Sequence, residues 1–153
     1  MKRAGAIVLL ALVLLAFPAP VLATHTTTHV RCDALNSVLN LYRARNLRTL
    51  YLLCRIGWQR AKEMAYAGRA WHDLRPVVRA LTAAGICWRN VGEVTASTTR
   101  IASAKTFMYL WRTLGAETHW PILLATRYDR GGGSWKTVNG RSFAAYYVLD
   151  LCP

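Results

Sequence analysis

The chain has 153 residues, 54% hydrophobic and 18% charged, with Lys+Arg 20 against Asp+Glu 7 and a formal charge of +13. That length accommodates one domain with a substantial core. The composition excludes an acidic, solvating or disordered chain, and the basic balance favours anionic surroundings such as acidic envelope polymers or lipid head groups.

Residues 1–23 read as a secretory signal peptide. Lys2 and Arg3 are followed by an apolar run from Ala4 to Phe17, then by Pro18 and Pro20, and Val21-Leu22-Ala23 offers small residues for cleavage after Ala23. The run is short for a membrane span, and no second apolar stretch approaches about 20 residues, so an exported, soluble domain is expected. Losing Lys2 and Arg3 lowers the formal charge of +13 by two. The next segment, residues 24–31, is a polar leader. His25 and His29 would share a face only on a helix, and threonine-rich runs are poor helix formers, so disorder is expected there instead of a metal site. Residues 32–153 then form the domain.

Cys32, Cys54, Cys87 and Cys152 are an even set in an exported chain and read as two disulfides. None of the spacings suits a zinc-thiolate or redox pair. Four cysteines allow three connectivities. Because chain termini often lie close together, Cys32–Cys152 is favoured, which leaves Cys54–Cys87.

Helical spacing begins near Asp33, a plausible N-cap, with Leu35, Val38, Leu39 and Tyr42 on one face. A second helix is read from Leu53 to Ala67, with Gly68 as its C-terminal cap and Gly57 allowing close packing. A third runs from Leu74 to Ala84, with Pro76 in its first turn. A fourth runs from Ser103 to Leu114, with Phe107, Met108 and Trp111 inward. Thr126 to Tyr128, Ser134 to Val138 and Ser142 to Leu151 read as strands, the last two joined by the hairpin signal Asn139-Gly140. Helices first and a mainly antiparallel sheet last predict an α+β fold.

Three short segments carry the candidate chemistry: Trp71-His72-Asp73-Leu74, Asn90-Val91-Gly92-Glu93-Val94 and His119-Trp120-Pro121-Ile122-Leu123. Glu93, placed in an apolar turn, would need a cationic or hydrogen-bonding partner if buried, and a histidine could supply it. Together His72, Glu93 and His119 suggest one concave site. There is no zinc-protease, nucleophile-elbow or phosphate-loop motif. Gly131-Gly132-Gly133 reads as a bulge or tight turn. The one pair of carboxylates to weigh for glycoside hydrolysis is Glu93 with Glu117. The arginines form no block and the aromatic residues follow no base-stacking pattern, so nucleic acid is not expected.

The same segments resemble the CAP superfamily of cysteine-rich secretory, antigen 5 and pathogenesis-related class 1 proteins, in its compact secreted bacterial form. The resemblance covers about Leu35 to Leu151. Leu39-Asn40-Leu41-Tyr42-Arg43 resembles the opening helix motif, and Ala61 to Gly68 the second helix. His72 stands at the first family histidine, and Gly92-Glu93-Val94 resembles Gly-Glu-Asn. Phe107 to Trp111 resembles the helix with the family tryptophan, His119 with Ile122-Leu123 the bacterial His-x-x-Asn-Ile-Leu motif, and Tyr128 to Trp135 and Tyr146 to Leu151 the last strands.

This chain departs from the pattern in four places. Val94 replaces the asparagine, the usual Phe-x-His reads Ala70-Trp71-His72, the spacing from Trp111 to His119 is longer, and the second family glutamate falls on Leu114, with Glu117 a loose substitute. The resemblance implies an α-β-α sandwich. It also implies an extracellular or envelope-associated binding protein for a small lipid or protein ligand, with a cleft of His72, Glu93 and His119; a monomer is expected, and the charge adds an anionic envelope polymer or lipid as a partner. His72 and His119 would be weak ligands for a divalent metal such as zinc. The alternative is a secreted hydrolase using Glu93 and a histidine as acid and base.

Overall fold

The computed structural model describes residues 21–153, with side chains from residue 27 onward. The signal peptide read over residues 1–23 lies outside the described residues, apart from Val21, Leu22 and Ala23.

Helix α1 spans Val21–Asn40. The polar leader is therefore helical where disorder was expected. Tertiary contacts outweigh the poor propensity of threonine. Thr28 is buried, His29 stacks on Tyr51 with ring centroids 4.3 Å apart, and Arg31 Nη1 donates to Trp135 O at 2.6 Å. After α1, Asn40 closes a loop by exchanging side-chain hydrogen bonds with the Leu47 backbone. The short strand β1, Arg48–Thr49, follows.

Helix α2 is Tyr51–Ala67, ended by Gly68 in the left-handed region at φ 71. A Cβ on Gly57 would lie 2.7 Å from Gly133 Cα and 2.8 Å from Ala145 O, so the missing side chain lets α2 approach the sheet closely. Helix α3 is Arg75–Ala83, with Pro76 in its first turn. Next comes β2, Trp88–Thr98. The segment read as a turn around Glu93 is thus the middle of an 11-residue strand. Helix α4, Ala104–Thr113, starts with a capping box between Ser103 and Thr106. A short α5, His119–Leu124, follows. The chain ends in β3, Arg130–Val138, and β4, Arg141–Leu151. Their turn has Asn139 at φ 49 and Gly140 at φ 75, the left-handed pair that an Asn-Gly hairpin needs.

Thr126 to Tyr128 is not a strand. Its neighbourhood is held by Arg43 near the end of α1, whose guanidinium donates to the carbonyls of Leu123, Ala125 and Tyr128. These carbonyls find a side-chain donor in place of a strand partner.

The four strands form one sheet in the order β1-β3-β4-β2. β4 pairs antiparallel with both neighbours, while β1 pairs parallel with β3, so the sheet is mixed. Ser142 to Asp150 on the central β4 are all buried, as a strand covered on both faces requires. Its side chains alternate between two cores. On one face Ala144, Tyr146 and Val148 meet Leu35, Leu39, Phe107, Met108, Trp111 and Leu123 from α1, α4 and α5. On the other, Phe143, Ala145, Tyr147 and Leu149 meet Leu53, Met64, Val77 and Leu81 from α2 and α3. The α-β-α sandwich is thus formed.

Two disulfides are present, but with a different pairing from the favoured one: Cys32–Cys54 and Cys87–Cys152. Packing of α1 beside α2 brings the first pair together. The β2–β4 register, which sets Trp88 opposite Leu151, places Cys87 next to Cys152.

Candidate functional site

β2 is the edge strand at the end of the sheet opposite β1, and the site wraps around its edge. Glu93 lies opposite Tyr147, so its side chain turns toward the α2–α3 face. Gly92 meets the other face, where a Cβ would lie 2.7 Å from Ile122 Cγ2 of α5. The missing side chain lets α5 seat against β2. The first residue of α5 is His119. The corner before it is built on Gly115, whose carbonyl accepts from the backbone N–H of Thr118, His119 and Trp120. This corner takes up the extra residues between Trp111 and His119.

From the opposite face the segment between α2 and α3 delivers His72. Arg60 of α2 anchors that segment: its Nη2 donates to Trp71 O at 3.3 Å, and its guanidinium lies over the Trp71 ring at 4.6 Å. Glu93 completes the connection. Its Oε2 accepts from Asp73 N at 2.9 Å and faces His72 Nδ1 at 3.2 Å. Its Oε1 accepts from the Tyr147 hydroxyl at 2.9 Å and lies 3.7 Å from Arg60 Nε. The carboxylate is 1% exposed, and Arg60 is 3% exposed. A buried acid thus has a buried cation and three hydrogen-bond donors around it.

His72 is half exposed and brings its second ring nitrogen to His119, with Nε2 facing Nε2 at 3.2 Å. The three residues singled out from sequence are therefore in contact in series: Glu93, His72, His119. A carboxylate can only accept, so the neutral His72 tautomer that satisfies it has its proton on Nδ1 and its Nε2 lone pair toward His119. Burial, then the nearby His72, holds the His119 pKa below the usual imidazole value, with Glu93 acting weakly the other way. Burial and the Glu93 charge push the Tyr147 phenol well above its ordinary range, so it stays a donor.

The Nε2 separation of 3.2 Å is that of an N–H···N hydrogen bond between the rings, and it is also close to the distance of about 3.3 Å between two ligands bound to zinc at tetrahedral angles. Glu93 on His72 Nδ1 is the kind of second partner that orients a metal-binding imidazole. Asp73 adds no ligand, because Arg75 binds its carboxylate and holds its pKa at about 2. Among the described residues no group of three or more His, Cys, Asp or Glu side chains is arranged to hold a metal. Glu117 is exposed on the α4–α5 corner, whereas Glu93 is buried.

Sequence reasoning singled out neither Tyr147 nor Arg43 nor Arg60 for the site. Both arginines are buried. For Arg60 a signal existed, since it falls on the apolar stripe of α2 with Gly57, Ala61 and Met64. Tyr147 could be found only from the β2–β4 register.

No family model matches the sequence, and no curated protein matches it. Solved structures do match. An extracellular protein containing a SCP domain from Bacillus anthracis aligns with a TM-score of 0.62 at 14% identity, over 80% of this chain and 41% of that one. A cysteine-rich secretory protein from Staphylococcus aureus aligns with a TM-score of 0.59 at 14% identity, over 80% and 38%. An outer surface protein from Borrelia burgdorferi aligns with a TM-score of 0.57 at 17% identity, over 84% and 96%. The chain thus spans about two fifths of the length of the first two. No helix among the described residues is long and apolar enough to cross a membrane. At these identities the likeness is one of fold, and the fold is that of the SCP, or CAP, domain.

Proposed function

We propose that the chain is a non-catalytic binding protein of the extracellular space or cell envelope, and that His72 and His119 together take a divalent cation of the zinc type. One observation carries this reading: the two Nε2 atoms face each other at 3.2 Å while Glu93 engages the far nitrogen of His72. Two imidazoles leave water to complete a four-coordinate shell, so binding is weak and reversible. The secretory pattern in residues 1–23 and the extracellular or outer-surface origin of the similar structures support the location.

The hydrolase alternative is disfavoured by the state of Glu93. Buried, beside a guanidinium and accepting three hydrogen bonds, it has no free lone pair aimed at solvent with which to take a proton from water. Titration calorimetry with zinc tests the proposal. The unaltered protein should take up about one ion per chain, and a His72→Ala/His119→Ala variant none at this site. Identical uptake by both would overturn the reading.

A further inference from the structure

The basic side chains fall into two groups. Arg43 and Arg60 are buried and engaged. Arg45 and Arg48 are exposed, and their guanidinium groups meet no acceptor among the described residues. They open onto a cavity of about 360 Å³ shared with Asn46, Asp129 and Arg130.

The backbone of this cavity is braced. Arg43 Nε donates to Arg45 O at 2.9 Å, Asn40 clamps Leu47, and Arg48 N donates to Asp129 O at 3.0 Å. Arg48 on β1 pairs with Arg130 on β3, which sets the two guanidinium stems side by side. Arg130 Nη1 donates to Asp129 Oδ2 at 2.7 Å and to Asp129 O at 3.2 Å, which leaves Nε and Nη2 of that fork without an acceptor among the described residues. Three guanidinium groups and one amide thus face one carboxylate. The excess positive charge calls for an anion, and the planar forks suit oxygens presented in pairs. A carboxylate has two coplanar oxygens and satisfies one or two forks. A phosphate group presents its oxygens tetrahedrally and can engage several at once.

We infer that Arg45, Asn46, Arg48 and Arg130 form a binding site for a phosphate group. It uses none of the residues of the His72–His119 pair and stands or falls separately from the metal reading. The phosphate can belong to a soluble or polymeric phosphate or to a lipid head group, and the probes separate these sources.

The experiment is titration calorimetry of the full chain with inorganic phosphate and with tripolyphosphate at constant ionic strength. Sedimentation with phosphatidylglycerol vesicles runs in parallel. Arg45→Ala/Arg48→Ala removes the proposed site, and both residues are exposed. Lys62→Ala/Arg79→Ala removes the same charge from exposed positions elsewhere. The unaltered protein should bind tripolyphosphate at one saturable site. The first variant should bind at least about tenfold more weakly, and the second within about twofold of the original. Arg48→Lys, which keeps the charge but loses the fork, should also weaken binding, and it serves if the double variant misfolds. Vesicle binding that falls with Arg45→Ala/Arg48→Ala identifies a head group as the source. Tripolyphosphate binding without vesicle binding identifies a soluble or polymeric phosphate. Equal weakening in the two double variants, or no saturable binding of either soluble probe together with vesicle binding that Arg45→Ala/Arg48→Ala does not reduce, overturns the site.

Discussion

Glu93 is the residue on which the site and the sheet edge both depend, and Glu93→Ala measures how strongly. The substitution strips acceptors from Asp73 N, the Tyr147 hydroxyl and His72 Nδ1, and it leaves Arg60, 3% exposed, without its buried counter-charge. Removing one partner of a buried pair costs about 3–5 kcal/mol. Two features here pull toward the lower end. Arg60 keeps Glu63 Oε2 at 3.2 Å, and its Nε lies 3.7 Å from Glu93, beyond hydrogen-bond length. A loss of about 3 kcal/mol is therefore expected for Glu93→Ala. Glu93→Gln keeps the shape and most hydrogen bonds and loses the charge, so about 1–2 kcal/mol is expected. Urea unfolding of the three proteins with a common slope gives both numbers. A Glu93→Ala loss below about 1 kcal/mol, the range of an exposed ion pair, would refute the claim that this carboxylate is a buried anchor.

Gly92→Ala would place a methyl group 2.7 Å from Ile122 Cγ2 and should cost about 1–3 kcal/mol while shifting α5 and weakening zinc uptake; unchanged stability and uptake would contradict the close-packed contact. For the disulfides, sequence separations of 65 and 22 predict that removing Cys87–Cys152 destabilises by about 1 kcal/mol more than removing Cys32–Cys54, and peptide mapping should recover these two pairs and no other. Because the folded His119 pKa is lowered, the folded state binds fewer protons than the unfolded one as pH falls. Its contribution is complete above the unfolded histidine value of about 6.5 and is lost as pH drops through the folded value. His119→Gln should flatten this part of the stability profile, and an unchanged slope would show that another group is responsible.

The layers were legible in the sequence because helical spacing and a single Asn-Gly hairpin fix them locally. α4 with its Ser103 cap, α3 with Pro76, α2 with Gly68 and the β3–β4 turn all follow from residues within one or two turns of the chain. β2 was not legible, because Asn90, Gly92 and Glu93 weaken strand propensity, and what makes the segment a strand is pairing with β4, whose partners lie from 44 residues away (Thr98 with Ser142) to 63 (Trp88 with Leu151). The same holds for the disulfides, whose pairing follows from α1–α2 packing and from the β2–β4 register. At the site, His72, Glu93 and His119 stood out as rare ionisable residues in apolar settings. Their roles depended on which face each side chain takes. Glu93 emerges as the partner of Tyr147 and Arg60 only once the register is known, and the bare charge count could not separate Arg43 and Arg60 in the interior from Arg45 and Arg48 outside.

The central claim, that Glu93 orients His72 so that two Nε2 atoms share one ion, is tested most directly by long-range proton–nitrogen correlation NMR of the imidazole rings. Without metal, His72 should be protonated at Nδ1 and bare at Nε2. On zinc addition the Nε2 resonances of His72 and His119 should shift together and saturate at about one ion per chain. A His72 ring protonated at Nε2, or Nε2 resonances unmoved by saturating zinc, would contradict the account.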